Sequence, residues 1–513
     1  MDWFDSWALS LAVFIPLVGM AVLLVLPRKE EQAHKIVTLL TTLITLAVGV
    51  VILLRFDYDA GSRLQFAVNK PWIDVIDSRY HVGIDGISLP MLILSMFITV
   101  TCVIYSWNHF PEPHNPKAFL ALILVLEVGM NGTFVAQDLI LFFVFFEIVL
   151  LPMFFLIGVW GGPRREYASV KFFLFTLFGS ALMLLSFLAL YFLSPVHTFD
   201  IPALSAAAGE GVVHSTQLLI FGGMFLGFAI KVPMFPFHTW LPDAHTEAPT
   251  VGSVLLAAIL LKLGTYGFIR IALPVLPEAA RSWAPWIGGL AVIGIIYGAL
   301  CCLAQTDMKR LIAFSSVSHM GFVMLGIATL TTFGINAAIF GMVAHGLITG
   351  MLFFVAGSVQ ERYETRQIGR LGGLLLQAPH LGWILGFASM ASLGLPGLAG
   401  FWGEFPAILS AYQPAAGLSE TTFRVFMVIA AVGTVLAAGY LLWMFQRVAF
   451  GRPKPEFEAA HIHDVHGPEW IAWVPILLLI VALGLFPNLI FRVTDGAVTR
   501  LVDNSFEIVS ATP

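Results

Sequence analysis

Seven ionisable residues interrupt long apolar runs in this 513-residue chain: Glu127, Glu147, Lys231, Lys262, His319, His345 and Glu404. An ionisable group inside such a run costs roughly 2.5–3.5 kcal/mol on insertion scales, so each needs a reason to be there. At about 1.5 Å per residue, all but Glu127 lie about 10–22 Å from one end of their run, within the middle third of a ~30 Å membrane. Groups on six different runs at one level describe a polar layer lying in the membrane plane. Burial and neighbouring charge can bring carboxylic acids, lysines and histidines to exchange protons near neutral pH. Arginine keeps its proton, and no arginine lies in the middle of a run. Acids, amines and imidazoles without arginine point to proton transfer rather than to charge pairs that only pin helices together.

The elements that must hold these groups are membrane spans. Of the residues, 58% are hydrophobic and 11% charged, whereas a soluble domain carries roughly 25% charged residues. Fourteen apolar runs approach the length needed to cross: 6–26, 36–54, 84–106, 117–136, 139–160, 169–193, 216–241, 249–272, 284–304, 311–331, 334–358, 380–411, 423–447 and 470–491. Connections are short, the longest being 55–83 and then 448–469. The start, Met1-Asp2-Trp3-Phe4-Asp5, is acidic, and the apolar run after it is too long for a signal-peptide core. It predicts a retained first span. With both termini outside, the inside loops hold more lysine and arginine than the outside ones, among them Arg164, Arg165, Lys309 and Arg310, as membrane topology favours.

Two runs look broken. One reads Lys231-Val-Pro233-Met-Phe-Pro236-Phe-His238, the other Gly394-Leu-Pro396-Gly397-Leu-Ala-Gly400-Phe-Trp-Gly403-Glu404. Proline removes a backbone donor and clashes with the preceding turn. Non-helical backbone at membrane depth is tolerated where it lines protein or a wet cavity. The broken runs are the seventh and twelfth, so units made of runs 4–8 and 9–13 place them at corresponding positions. An odd number of helices per unit inverts the second, as in transporters built from inverted repeats. The expected fold is an all-α polytopic membrane protein with about fourteen transmembrane helices and two inverted five-helix repeats, each with a broken helix. Residues 1–116 hold helices 1–3, 117–272 the first repeat, 284–447 the second, and 448–513 a loop and helix 14.

Several chemistries are excluded or set aside. The net charge of −5, without a basic block, gives nucleic acid nothing to bind. Cys102, Cys301 and Cys302 are the only cysteines, too few for the four thiolates of an ordinary iron–sulfur cluster. No P-loop pattern occurs, and the Gly394–Gly403 stretch follows no strand, so a dinucleotide fold is unsupported. His461, His463 and His466 read as a solvated loop, and no metal site is expected. The polar segment His238–Pro249 reads as a cap for the next helix. Glu127 receives no role.

The stretch Lys231 to Gly267, KVPMFPFHTWLPDAHTEAPTVGSVLLAAILLKLGTYG, resembles the signature of the antiporter-like membrane subunits of respiratory complex I and of multisubunit cation/proton antiporters. FFEIVLLPMFFLIGVWGG around Glu147, QTDMKRLIAFSSVSHMG around His319 and LGLPGLAGFWGEF around Glu404 are similar as well. The likeness covers about residues 80–450. Within the family, Glu404 matches a branch with glutamate at this place, where the sister subunits L and N have lysine. The chain is also too short for the long lateral helix typical of subunit L.

The resemblance implies roles residue by residue. Glu147 and Lys231 would form the charge pair of a first half-channel, and Lys262 would be the central proton carrier. His319 and His345 would relay protons, Glu404 would serve a second half-channel, and His238 resembles a further position on the polar axis. The implied function is proton translocation by a membrane subunit of NADH:quinone oxidoreductase, driven by electron transfer in partner subunits. The enzyme activity belongs to the assembly, and no redox chemistry is expected in this chain alone. No cofactor is expected here; FMN, iron–sulfur clusters and quinone would sit in partners. Implied partners are other complex I membrane subunits, especially L and N, and membrane lipids. The implied location is a bacterial cytoplasmic (inner) membrane or an equivalent energy-conserving membrane. The alternatives are a subunit of a multisubunit Na+/H+ antiporter and a structural membrane scaffold.

Overall fold

The structure, a computed structural model, describes residues 3–507. Met1 and Asp2 of the acidic N-terminal stretch lie outside the described residues. Twelve helices among the described residues are long and apolar enough to cross a membrane. In chain order, α1 (Trp3–Val25), α2 (Glu31–Arg55), α3 (Ser88–Tyr105), α4 (Pro116–Val135), α5 (Leu139–Trp160) and α6 (Arg165–Leu193) come first. The seventh run is broken into α7a (His214–Lys231) and α7b (Trp240–Glu247). Four long helices follow: α8 (Thr250–Val275), α9 (Pro277–Leu303), α10 (Met308–Ala328) and α11 (Thr332–Tyr363). The twelfth run is broken into α12a (Pro379–Ser392) and α12b (Ala399–Ser410). Next come α13 (Glu420–Ala449) and α14 (Gly467–Leu485), then an amphipathic α15 (Asn488–Val502). Of the fourteen apolar runs, the two that carry the breaks form no continuous span.

Burial separates these helices by task. The apolar stretches of α10 and α11 are wholly enclosed by protein and that of α8 nearly so, whereas α1, α2 and α13 turn most of their surface outward. A helix apolar on every side suits such a central place. Lys262, His319 and His345 lie on the three enclosed helices, so their polar groups meet protein rather than lipid.

Caps fix where the helices start. Asn115 accepts from the backbone N–H of Ala118 at the head of α4, and Asp307 from that of Arg310 at the head of α10. Asp138 accepts from the backbone N–H groups of Ile140 and Leu141 at the head of α5. The same carboxylate takes the Ser78 hydroxyl and the Arg79 N–H, each at 3.0 Å. Such caps satisfy the orphan donors of a first turn. Here the cap also ties α5, and hence Glu147, to a surface hairpin.

That hairpin lies in the 55–83 connection and departs from an all-helical reading. Strands β1 (Gln65–Ile73) and β2 (Ser78–Ile84) pair antiparallel. The polar segment after the first break also differs from expectation: Trp240–Glu247 forms a helix of its own with all eight residues buried. Trp240 Nε1 donates to the Ile230 carbonyl across the break at 2.9 Å, and the Ser253 hydroxyl donates to the His245 carbonyl at 3.0 Å. These bonds satisfy backbone groups that the prolines leave unpaired.

Candidate functional site

The first group of titratable residues is loosely assembled. Glu147 sits on α5 two residues before Val149, where the helical pattern is interrupted. Its carboxylate faces Ser180 of α6 and Lys231 of α7a, and its Oε1 has no hydrogen-bond partner. Lys231 ends α7a and is 2% exposed. Its Nζ has no hydrogen-bond partner either and rests 4.5 Å from the centre of the Phe146 ring. A cation over an aromatic face is attracted by about 0.5–2 kcal/mol, a weaker hold than a carboxylate contact. Lys231 is thus poised near Glu147 without being locked to it.

Close helix packing brings α7a against α8. A Cβ on Gly264 would stand 2.7 Å from the Phe228 carbonyl oxygen and 3.1 Å from the Lys231 Cβ. Only glycine lets the backbones approach this far. Two turns back along the same helix, the α-helical pattern gives way to a π-helical stretch over Leu256–Leu260, and a second spans Phe268–Ala272. Such stretches are frequent at functional sites. Lys262 lies between them, fully buried.

From Lys262 onward the residues touch. Lys262 Nζ donates to the Ala257 carbonyl at 2.6 Å and lies 2.6 Å from His345 Nδ1. Two positive charges that close would repel strongly in a low-dielectric interior, so the pair favours one shared excess proton. The His345 and His319 rings are 6.1 Å apart between centres. His319 Nδ1 is 2.5 Å from Glu404 Oε1. Its Nε2 meets the Ser392 hydroxyl at 3.2 Å and the Tyr440 hydroxyl at 3.1 Å. With the proton on Nδ1 the ring donates to Glu404, and Nε2 can accept from either hydroxyl.

The second break positions Glu404. Gly394 has φ +79°, in the left-handed region, and a Cβ there would stand 3.3 Å from Glu404 Oε2. Glycine therefore lets the chain turn back tightly against the carboxylate. A cavity of about 20 Å³ between His319, His345, Thr349, Ser392 and Glu404 has room for one water. His345 Nε2 and Glu404 Oε2 are the buried polar atoms without a partner at this place.

The remaining candidates fall outside this contact chain. His238 is 3% exposed among the rings of Phe235, Tyr297 and Phe314, and its Nδ1 has no hydrogen-bond partner. Glu127 is fully buried and neither carboxylate oxygen has a partner. Ser392, Tyr440 and the fully buried His245 escaped a reading that followed charge within apolar runs. A lone tyrosine inside run 13 was the only available signal for Tyr440. Among the described residues no group of three or more potential ligands could hold a metal ion.

Comparisons with known proteins agree with this architecture. Residues 136–437 match the family described as NADH:quinone oxidoreductase/Mrp antiporter, TM, and residues 11–133 match NADH-ubiquinone oxidoreductase chain 4, amino terminus. NADH-quinone oxidoreductase subunit M of Rickettsia prowazekii is 40% identical over 497 residues, which cover 96% of this chain and 98% of that one. Among solved structures, a chain of respiratory complex I from Thermus thermophilus with bound NADH superposes with TM-score 0.85 at 30% identity, covering 97% of this chain and 99% of that chain. A chain of the Mrp complex from Dietzia sp. has TM-score 0.84 at 20% identity, covering 99% of each, and so shares the fold. The chain belongs to the NADH-quinone oxidoreductase subunit M (chain 4) family of antiporter-like membrane proteins.

Proposed function

We propose that the chain moves protons across a bacterial inner membrane as a membrane subunit of NADH:quinone oxidoreductase, driven by electron transfer in partner subunits. What carries the reading is the run of contacts from Lys262 through His345 and His319 to Glu404. Each member can take up and release a proton, and Lys262, His345 and His319 are buried. Lys262 is the central carrier: its amine passes a proton to His345 Nδ1 and regains one afterwards. His345 and His319 relay it, and Glu404 accepts it at the second break. Glu147 and Lys231 act as a gate upstream. A nearby carboxylate favours a charged amine while burial favours a neutral one, so neutralising or moving Glu147 lets Lys231 release its proton. His238 is a further polar position beside the first break. Residues 117–272 and 284–447 are the two inverted repeats that carry these groups, between 1–116 and 448–513.

FMN, iron–sulfur clusters and quinone belong to partner subunits in this reading, and subunits L and N are the neighbours within the membrane. The experiment is Lys262→Ala in the assembled complex, read as proton uptake into sealed vesicles per NADH oxidised. Loss of uptake with assembly intact supports the reading; normal uptake in a fully assembled variant removes Lys262 from the path. A subunit of a multisubunit Na+/H+ antiporter is the second reading, favoured by the shared fold. Purifying the native assembly and identifying its partner chains separates the two.

A further inference from the structure

Lys262, Tyr266 and Arg270 recur at four-residue intervals along α8. Residues so spaced share one helix face, and Arg270 stands about 12 Å outward of Lys262 along the helix axis. The lysine turns away from both. Its Nζ reaches back to the Ala257 carbonyl and across to His345 Nδ1, as suits a helical side chain leaning toward the helix N-terminus. Because α8 starts on the inner side, the amine is directed inward, and Tyr266 and Arg270 stand on its outward side.

Tyr266 is fully buried and meets Phe134 edge-on, 5.2 Å between ring centres. Its hydroxyl donates to the Phe134 carbonyl at 2.9 Å and accepts from Arg270 Nε at 3.1 Å. The other two guanidinium nitrogens bind Asp85 at 2.8 and 2.5 Å. Asp85 Oδ1 also accepts the backbone N–H groups of Ile87 at 2.9 Å and Ser88 at 3.2 Å. A hydrogen-bonded chain conducts protons only when each member can both take one up and pass one on. This chain does neither. A guanidinium keeps its protons and has no acceptor site, and backbone N–H groups keep theirs. The tyrosine hydrogen ends on a carbonyl, which has no proton to give. Asp85 cancels the arginine charge at a distance, but the guanidinium stands between it and Tyr266.

We propose that Tyr266, Arg270 and Asp85 form a proton-tight seal between Lys262 and the outer surface, so that protons already moved outward do not return to the axis along α8. The proposal rests on the proton-translocating reading above and adds residues whose task is to withhold protons. The fixed guanidinium charge opposes a hydrated proton approaching from outside. The fixed donor directions leave such a proton no run of exchangeable bonds to follow. Arginine here contrasts with lysine at 231 and 262. The amine that can exchange lies where protons move, and the guanidinium that cannot lies where they must stop.

The test uses the assembled complex in sealed inside-out vesicles, whose lumen corresponds to the outer side. Proton uptake per NADH oxidised is recorded first, then the decay of lumen acidity once NADH is exhausted. Arg270→Gln removes the charge and frees the Asp85 carboxylate to exchange protons. The expected result is an assembled variant whose lumen acidity decays several-fold faster than wild type, with lower uptake per NADH. Arg270→Gln combined with Lys262→Ala should decay no faster than Lys262→Ala alone, because the leak has to pass the lysine. A complex merely loosened by a lost ion pair would leak with or without Lys262. Wild-type decay in assembled Arg270→Gln, or fast decay that persists in the double variant, overturns the seal and leaves the axis standing. Wild-type uptake in Lys262→Ala overturns the axis itself. Asp85→Asn keeps the guanidinium and should hold lumen acidity as wild type does; decay as fast as in Arg270→Gln overturns the role given to Arg270. If Arg270→Gln fails to assemble, Arg270→Lys replaces it, since lysine keeps the pair with Asp85 yet can pass a proton on. Failure of both to assemble makes Arg270 structural and overturns the proposal.

Discussion

Two halves of the buried axis are built differently. Around Glu147 and Lys231, Lys231 Nζ and Glu147 Oε1 lack hydrogen-bond partners, and the amine rests on Phe146. From Lys262 to Glu404, two short contacts, Lys262–His345 at 2.6 Å and His319–Glu404 at 2.5 Å, flank an imidazole pair 6.1 Å apart between ring centres, and the Ser392 and Tyr440 hydroxyls hold His319. A loose pair can change partners at low cost and suits a gate. Hydrogen-bonded pairs set side by side are pre-oriented and suit a relay, since bonded neighbours polarise one another. A third arrangement, at the outer end of α8, supplies the contrast. Arg270 holds Asp85 with two donors at 2.8 and 2.5 Å. That bidentate pair cannot release a proton and serves as a pin.

After Lys262 itself, the largest expected effect falls on the gate. Lys231→Arg should assemble but pump poorly, because arginine can hold a carboxylate yet keeps its proton. Glu147→Gln should likewise depress coupled activity strongly, whereas Glu147→Asp, still able to ionise, should keep part of it. Proton uptake per NADH oxidised decides both, and wild-type ratios in Lys231→Arg would reduce the first half to a structural pair. A smaller effect is expected in the relay from Tyr440→Phe. It removes one of two hydroxyls at His319 Nε2, a loss of about 1 kcal/mol. Turnover should drop by less than about tenfold, measured as NADH:quinone reductase rate at equal complex content. The smallest effect on coupling is expected at the pin. Asp85→Asn leaves Arg270 short of its counter-charge, and breaking such a buried pair costs about 3–5 kcal/mol. Less complex should be recovered, yet the molecules that assemble should pump at the wild-type ratio. A changed ratio would draw the outer pair into the proton path.

Much of this was legible in the residues because membrane burial makes charge conspicuous. Lys262, His319, His345 and Glu404 stood out as costly groups in apolar runs, and they form one contact chain. The two breaks were equally plain, since Pro233, Pro236 and Pro396 cannot continue a helix. What stayed hidden was neutral or lay where hydropathy falls. Ser392 and Tyr440 carry no charge, so only the fold shows that both reach His319. His245 sits just past the seventh apolar run in a segment rich in polar residues, which reads as a cap for the next helix. It is buried because α7b is tied back to Ile230 by Trp240 and clamped by Arg366, the second contact spanning 120 residues. The hairpin at 65–84 was hidden for a similar reason. Its place depends on Asp138, 60 residues beyond Ser78 in sequence.

The central claim is that Lys262 must give up its proton in each cycle rather than merely carry a charge. The direct measurement is Lys262→Arg in the assembled complex, with proton uptake into sealed vesicles and NADH oxidation recorded together. The account predicts that the variant assembles, keeps a positive charge beside His345 and loses proton uptake as fully as Lys262→Ala. Uptake at the wild-type ratio in assembled Lys262→Arg would contradict it, because a permanently protonated side chain cannot relay a proton.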